Sequence, residues 1–333
     1  RVFCLSRGLG DVYKRQDIGT VQNILGNTSI ENFIGNTGFV CVGSITDEKT
    51  NKLYWFVKSS YIDAIVEYSS EEETTTPVLV DKNANTANAV LRFKDNIITG
   101  INIVDDLLLW TDNRNEPRKI NIERCKQGSS ISNSLSTSPH TKLVLDNKTV
   151  TENIYVTADG SGTDSTSITV NDASGLKVGG ALVSIDLYST NNIITAINGN
   201  DITLTTNATW SDTDPLIFSI PLDIKEEHIT VIKKKPTKAP TFEIITTEDS
   251  TENLLFEKIF PRFSCRYKYE DGEYSAFGPF TDVVFKSNYL DGVDKDDSFT
   301  TKDVYNTGAV NIIKEIKLTD FIAPDMPNDV VQV

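Results

Sequence analysis

LLLWTDNRNEPRKINI, residues 107–122, is an apolar run, a polar turn and a second alternating run. The first run ends in Trp110-Thr111-Asp112, and the second extends from Arg118 to Ile122. That pattern predicts strand, tight turn, strand. Asp112 and Asn113 can bond backbone amides inside the turn, and Pro117 has no N–H to leave unpaired. An isolated hairpin is marginal in water, so the pair needs neighbours. KLYWFV (52–57) and IDAIVEY (62–68) repeat the layout around Trp55. Trp55 and Trp110 stand 55 residues apart, near the longer repeat periods of β-propeller blades. Each follows another alternating stretch, at 40–45 and 98–104. The expected fold is all-β, with a propeller-like repeated β-meander in residues 17–149. An ordinary meander of hairpins is the alternative.

The bulk properties bound the rest. A chain of 333 residues has room for two or three domains. Its formal net charge of −15 argues against a free nucleic-acid binder, which carries a basic face. There is no run of eighteen apolar residues, so no membrane-spanning helix is expected. Cys4, Cys41, Cys125 and Cys265 lack zinc-ligand or redox spacing and read as free thiols, the last three in or beside strands. The opening RVFCLSRGLGDVYKRQ (1–16) is a basic cluster in an acidic chain and resembles translated sequencing-adapter sequence. It is set aside, and with it Cys4. With the strand-like VVQV at 330–333, it leads to the expectation that the sequence is cut at both ends.

Composition then divides the chain. Residues 69–76 read as a solvated loop, 77–80 as a short strand, 83–96 as a short helix or irregular loop, and 126–139 as a mobile, Ser-rich surface loop. Residues 150–219 turn to Thr, Ser, Asn, Asp and Gly, with β-branched runs at 167–170, 181–187, 192–197 and 201–205. Asn198-Gly199-Asn200 between the last two is a hairpin signal. This stretch is expected to be a small inserted β module. Residues 220–240 are expected to hold a return strand at 228–232 and a basic linker, KKKPTKAP (233–240), with solvated lysines. Residues 241–333 are expected to form a β-sandwich-like, fibronectin-III-like domain. Its strands are placed at 242–247, 258–269, 274–277, 280–285 and 314–318, with a turn at Asp271-Gly272. Phe263, Cys265, Tyr267 and Tyr269 alternate and share one face, read as sandwich core. If that face were exposed instead, its aromatic row could bind a sugar or a partner; Tyr274, Phe277, Phe280 and Phe285 add to the aromatic density.

No constellation of catalytic residues emerges. The phosphate-cradling glycine loops and the G-x-S-x-G elbow do not occur. His140 and His228 lie far apart in sequence, and Glu226 and Glu227 beside His228 could raise its basicity; both histidines read as ordinary surface or boundary residues. Asp112 is the best single candidate for a special role, yet capping its turn explains it. Asp291, Asp294, Asp296 and Asp297 could offer oxygens to Ca²⁺ but lack EF-hand spacing, and read as a solvated loop. No catalytic, cofactor-binding or metal-ligating residue is assigned. A glycoside hydrolase or lyase would need paired carboxylates in a pocket, and a carbohydrate- or receptor-binding propeller adhesin would need exposed rings.

WTDNRNEPRKINIERC (110–125), EEHITVIKKKPTKAPTFEI (226–244) and FSCRYKYEDGEYSAFGPF (263–280) resemble segments of virion structural proteins of tailed bacteriophages. The nearest are tail or stabilization proteins of crAss-like and related marine short-tailed phages. The order and spacing match if 150–219 is an insertion. The resemblance implies a non-catalytic, nozzle- or muzzle-like tail subunit in the virion, assembled in the host bacterial cytoplasm. Its implied partners are copies of itself and portal-proximal tail proteins. It also implies a ring that lets DNA pass without tight binding, as acidic walls would. The 150–219 module would face outward and contact a glycan or receptor.

Overall fold

The computed structural model describes residues 38–130, 134–183, 192–246, 255–256, 259–286, 311 and 313–333. Among these residues the regular structure is almost all β, and the chain divides into two compact units, at 231/232.

In the first unit, β1 (Val40–Asp47), β2 (Lys52–Lys58), β3 (Asp63–Ser69) and β4 (Thr74–Asp81) make an antiparallel meander in sequence order. β4 begins inside the stretch expected to be loop, because β-branched Thr74, Thr75 and Thr76 pair with Ser69, Tyr68 and Glu67. β5 (Gly100–Val104), β6 (Leu107–Thr111) and β7 (Arg118–Asn121) form a second meander, as the hairpin reading expects. That reading fails one residue later. At Ile122 the chain enters α1 (Ile122–Gly128), capped by Asn121, whose side-chain oxygen accepts from the Arg124 amide at 2.9 Å. Cys125 lies buried on this helix, not in or beside a strand. The described residues thus show two meanders, of four and three strands, and no closed ring of blades among them.

The two tryptophans do not occupy equivalent places. Alternation along β2 puts Tyr54 and Phe56 on one face and Trp55 and Val57 on the other. Trp110 packs edge-on against Phe56, with ring centroids 5.5 Å apart, in the main core with Leu108, Ile120 and Leu91. Trp55 lies on the opposite face, stacked on Tyr68 and packed beside Ile62, Val66 and Leu135. Leu135 and Ser138 are fully buried, so the described part of 126–139 is helix and packed turn and not the expected mobile surface loop; residues 131–133 lie outside the described residues.

A short hairpin, β8 (Val144–Leu145) and β9 (Lys148–Thr149), turns through Asp146 and Asn147, both at positive φ, as a type I′ turn requires. The module follows: β10 (Thr151–Thr157), β11 (Gly162–Thr169), β12 (Ala181–Leu182), β13 (Asn192–Asn198), β14 (Asp201–Trp210) and β15 (Pro215–Pro221). They form one sheet in the order β10-β15-β12-β13-β14-β11. Its two end strands, consecutive in sequence, meet at the bridge Ala158↔Val170. Fifteen buried residues, among them Ile168, Leu204, Trp210, Leu216 and Phe218, make a core separate from that of the meanders. Gly199 turns the β13–β14 hairpin at φ +61, a conformation that favours glycine. A Cβ at Gly162 would stand 2.2 Å from the Trp210 ring, so only glycine lets that ring lie flat on β11.

The ends of the module meet. The Leu222 amide donates to the Val150 carbonyl at 2.9 Å, and the Leu143 amide donates to the Leu222 carbonyl at 2.8 Å. Beyond this base the expected return strand at 228–232 is not formed. Glu226–Ile229 is instead one helical turn, α2, and only the bridge Arg118↔Thr230 extends β7. The His228 ring explains the difference: its Nδ1 accepts from the Lys225 amide at 3.0 Å and folds the segment back on itself.

The second unit contains β16 (Thr241–Thr246), β17 (Lys268–Tyr269), β18 (Ile313–Thr319) and β19 (Val330–Gln332), with β16 paired to β18 and β17 to β19. Tyr267 and Tyr269 are buried, whereas Phe263 and Cys265 of the same alternating row are half-buried. Lys233 corrects the expectation of solvated linker lysines. Its ammonium is buried 3.5 Å from Asp271 and 3.6 Å from Asp329, over the Tyr269 ring.

The runs expected as strands at 258–269, of which 259–269 are described, and at 274–277 and 280–285 do pair, but not as a regular ladder. Amides of Ser275, Gly278, Thr281 and Val284 donate to carbonyls of Tyr267, Cys265, Phe263 and Pro261. Three residues of one arm therefore face two of the other at every step, as if bulged each time. The same four residues of the second arm are the buried ones.

Candidate functional site

A cluster of ionisable groups among the described residues lies under the loop that joins the two meanders. Alternation along β7 puts Arg118 on the core face with Ile120, and the arginine is among the largest fully buried side chains. Its Nη1 donates to the carbonyls of Val90 (2.9 Å) and Leu91, and its Nη2 to Glu226 Oε1 at 2.7 Å. Glu226 Oε2 takes Arg92 at 2.7 Å. Asp81, at the end of β4, holds the same two residues by their amides. Its Oδ2 accepts from the amides of Val90 (2.6 Å) and Leu91 (2.9 Å), and Oδ1 from Asn83. Two consecutive residues thus have both amides held by a carboxylate and both carbonyls by a guanidinium. One turn on, the Phe93 amide donates to buried Asp63 at 2.8 Å. Burial pushes the Asp63 carboxyl up to about 7, the neighbouring charge of Asp81 adding to it against the Phe93 bond.

The structure brings the two histidines to one segment, although 88 residues separate them in sequence. His140 accepts from the Lys82 amide through Nδ1 at 3.1 Å, which leaves Nε2–H to donate to the Ile224 carbonyl at 3.1 Å. His228 takes the amide of the next residue, Lys225. Each ring is thereby held by backbone groups. Glu226, one of the two acidic neighbours of His228, is spent on the arginines.

Asp112 caps its turn. It accepts from the amides of Arg114 (3.0 Å) and Asn115 (2.8 Å); burial works to raise its pKa, and these bonds hold it below the ordinary value. Another buried carboxylate, Glu67, accepts from the Tyr54 hydroxyl (2.9 Å) and Lys126 (2.8 Å), with Lys52 at 3.3 Å. Burial opposes its ionisation, but Lys126 and Tyr54 outweigh it and keep the group acidic. Asp223, at the base of the module, pairs with Lys142 (2.6 Å) before the insertion and Lys177 (2.9 Å) within it.

Asp291, Asp294, Asp296 and Asp297 lie outside the described residues. Among the described residues, no three His, Cys, Asp or Glu side chains gather as metal ligands. No protein-family model matches the chain, and neither a curated protein nor a solved structure matches it.

The chemistry available to this site follows from its bonds. A general base or nucleophile needs a free lone pair within reach of a substrate; here the carboxylates of Asp81, Glu226 and Asp112 accept from backbone amides, Asn115 and the arginines, and the Nη atoms of Arg118 donate to carbonyls and Glu226. The arrangement can hold a long loop in one conformation. Sequence reasoning missed Arg118, Asp81, Asp63 and Lys233. For Arg118 a signal existed, since it alternates in phase with Ile120 and Ile122.

Proposed function

We propose that the chain is a non-catalytic structural subunit of a bacteriophage tail, contributing to a ring or conduit below the portal. The observation that carries this reading is where the three phage-like segments sit. Arg118 of the first pairs with Glu226 of the second. Lys233 of the second pairs with Asp271 of the third. The resembling residues are thus fasteners between distant parts of the chain, as expected when a motif specifies a frame and not a reaction. The net charge of −15 suits a wall along which DNA slides. In this role the protein acts in the virion after assembly in the host cytoplasm, with copies of itself and portal-proximal proteins as partners. The 150–219 module is the part available for a glycan or receptor, because it hangs from a single hydrogen-bonded base.

Light scattering followed by electron microscopy tests the proposal. A closed ring with an axial opening, alone or on an added portal, is the expected result. A chain that stays monomeric both alone and with portal overturns it.

A further inference from the structure

The irregular hairpin of the second unit carries a surface that the tail assignment does not use. In the arm 275–284 every third residue is buried, so Tyr274, Phe277, Phe280 and Val283 line up outward, 50%, 55%, 56% and 48% exposed. The facing arm contributes Arg262, Arg266 and Lys268. Arg266 lies 4.1 Å from the Tyr274 ring centroid and 5.2 Å from that of Phe277. Arg262 stands 5.8 Å from Phe280, and Lys268 5.9 Å from Tyr274. Cations and rings therefore alternate along the hairpin.

Three features say what this ladder can take. First, the chain has 47 acidic and 32 basic residues, yet among the described residues no carboxylate pairs with Arg262, Arg266 or Lys268. Second, the cations lie over the rings. That disfavours nucleobases and sugars, which need open ring faces to stack. Third, a guanidinium stacked on a ring keeps its N–H rim free, pre-organised for a bidentate carboxylate. Arg262 spends only Nε, on the Thr281 carbonyl at 2.9 Å. Between the cations, the edges of Phe277 and Phe280 and the side chain of Val283 offer an apolar lane.

We propose that this ladder docks an extended polypeptide segment in which carboxylates alternate with apolar residues. The carboxylates meet Arg262, Arg266 and Lys268, and the apolar side chains lie along Phe277, Phe280 and Val283.

The test uses the whole chain and a fluorescein-labelled peptide of repeated Glu-Leu-Glu-Pro, read by anisotropy. The expected result is saturable binding that weakens with salt. Arg262→Glu with Arg266→Glu should lower the affinity by about tenfold or more, whereas Lys49→Glu, at an exposed lysine of the first unit, should leave it unchanged. If the double variant fails to fold by near-UV circular dichroism, Arg266→Gln and Phe280→Ser are each expected to weaken binding about threefold or more. Absence of saturable binding, or equal binding by folded ladder variants, overturns the proposal. So does tighter binding of a twelve-residue oligothymidylate or of polygalacturonate, which would assign the surface to nucleic acid or to acidic glycan.

Discussion

The paired meanders and the inserted module bury their interiors by different means. The meander region hides Asp63, Glu67, Asp81, Arg118 and His228 among its apolar side chains. The module hides no charged group among its described residues; its one buried polar side chain is Asn192, whose amide closes a bulge against Thr206. The cause is topological. In the module the end strands bridge each other, so backbone groups find partners within the sheet. The two meanders are joined by a long loop with no ladder of its own, and its buried amides and carbonyls must be met by side chains. Charged side chains reach furthest, so the loop between the meanders became ionic.

If the two regions are separate in this sense, the module can be removed. Replacing residues 151–221 with a two-glycine link across the Val150–Leu222 base should abolish the module's unfolding transition and leave that of the meanders in place. Scanning calorimetry of the excised chain checks this, and loss of both transitions would break the comparison. Next in size is the ionic fastening. Arg118→Ala leaves Glu226 with Arg92 alone and strands two buried carbonyls, and should cost the meander region about 3–5 kcal/mol. Urea unfolding followed by the fluorescence of Trp110 should report the loss, while Trp210 in the module should not respond. Leu216→Ala should do the reverse, costing the module about 2–5 kcal/mol through a cavity, with Trp110 unmoved.

Proton linkage distinguishes the regions more finely. Folded Asp63 holds its proton up to about 7, whereas an unfolded aspartate releases it near ~4. The folded state therefore binds more protons between these values. The stability contributed by Asp63 is full below the lower pKa and is lost as pH rises through the upper one, at no more than about 1.4 kcal/mol per pH unit. Asp63→Asn keeps an acceptor for the Phe93 amide and should flatten this slope in the meanders, measured by urea midpoints across that range. The smallest expected effect is at the hairpin turn: Asp112→Ala removes acceptors from two amides and should cost about 0.5–1.5 kcal/mol.

Much of the frame was legible from two-residue alternation. The hairpin at 107–121 and the turn at Asn198-Gly199-Asn200 both rest on local chemistry: apolar phase, and a residue tolerating positive φ. What failed was whatever depended on distant partners. Ile122 continues the alternating run of β7, and only Asn121 as a helix cap argues for α1. Lys233 sits in a run of lysines that reads as solvent-loving, and nothing nearby announces Asp271 and Asp329. Trp55 and Trp110 looked like matching marks of a repeat, but their phases differ by one residue, and one residue reverses the face of a strand. The ionic cluster was illegible for a similar reason: Asp63, Asp81, Arg118 and Glu226 come from four separate stretches.

The three-against-two hairpin of the second unit has a bearing on solubility. A β-rich chain exposes strand edges, and a regular edge offers hydrogen bonds at a two-residue interval that any other strand can copy. The arm at 275–284 repeats every three residues instead. A foreign strand laid against it would fall out of step after its first bond, so this margin cannot seed the stacking of chain upon chain from which fibrils grow.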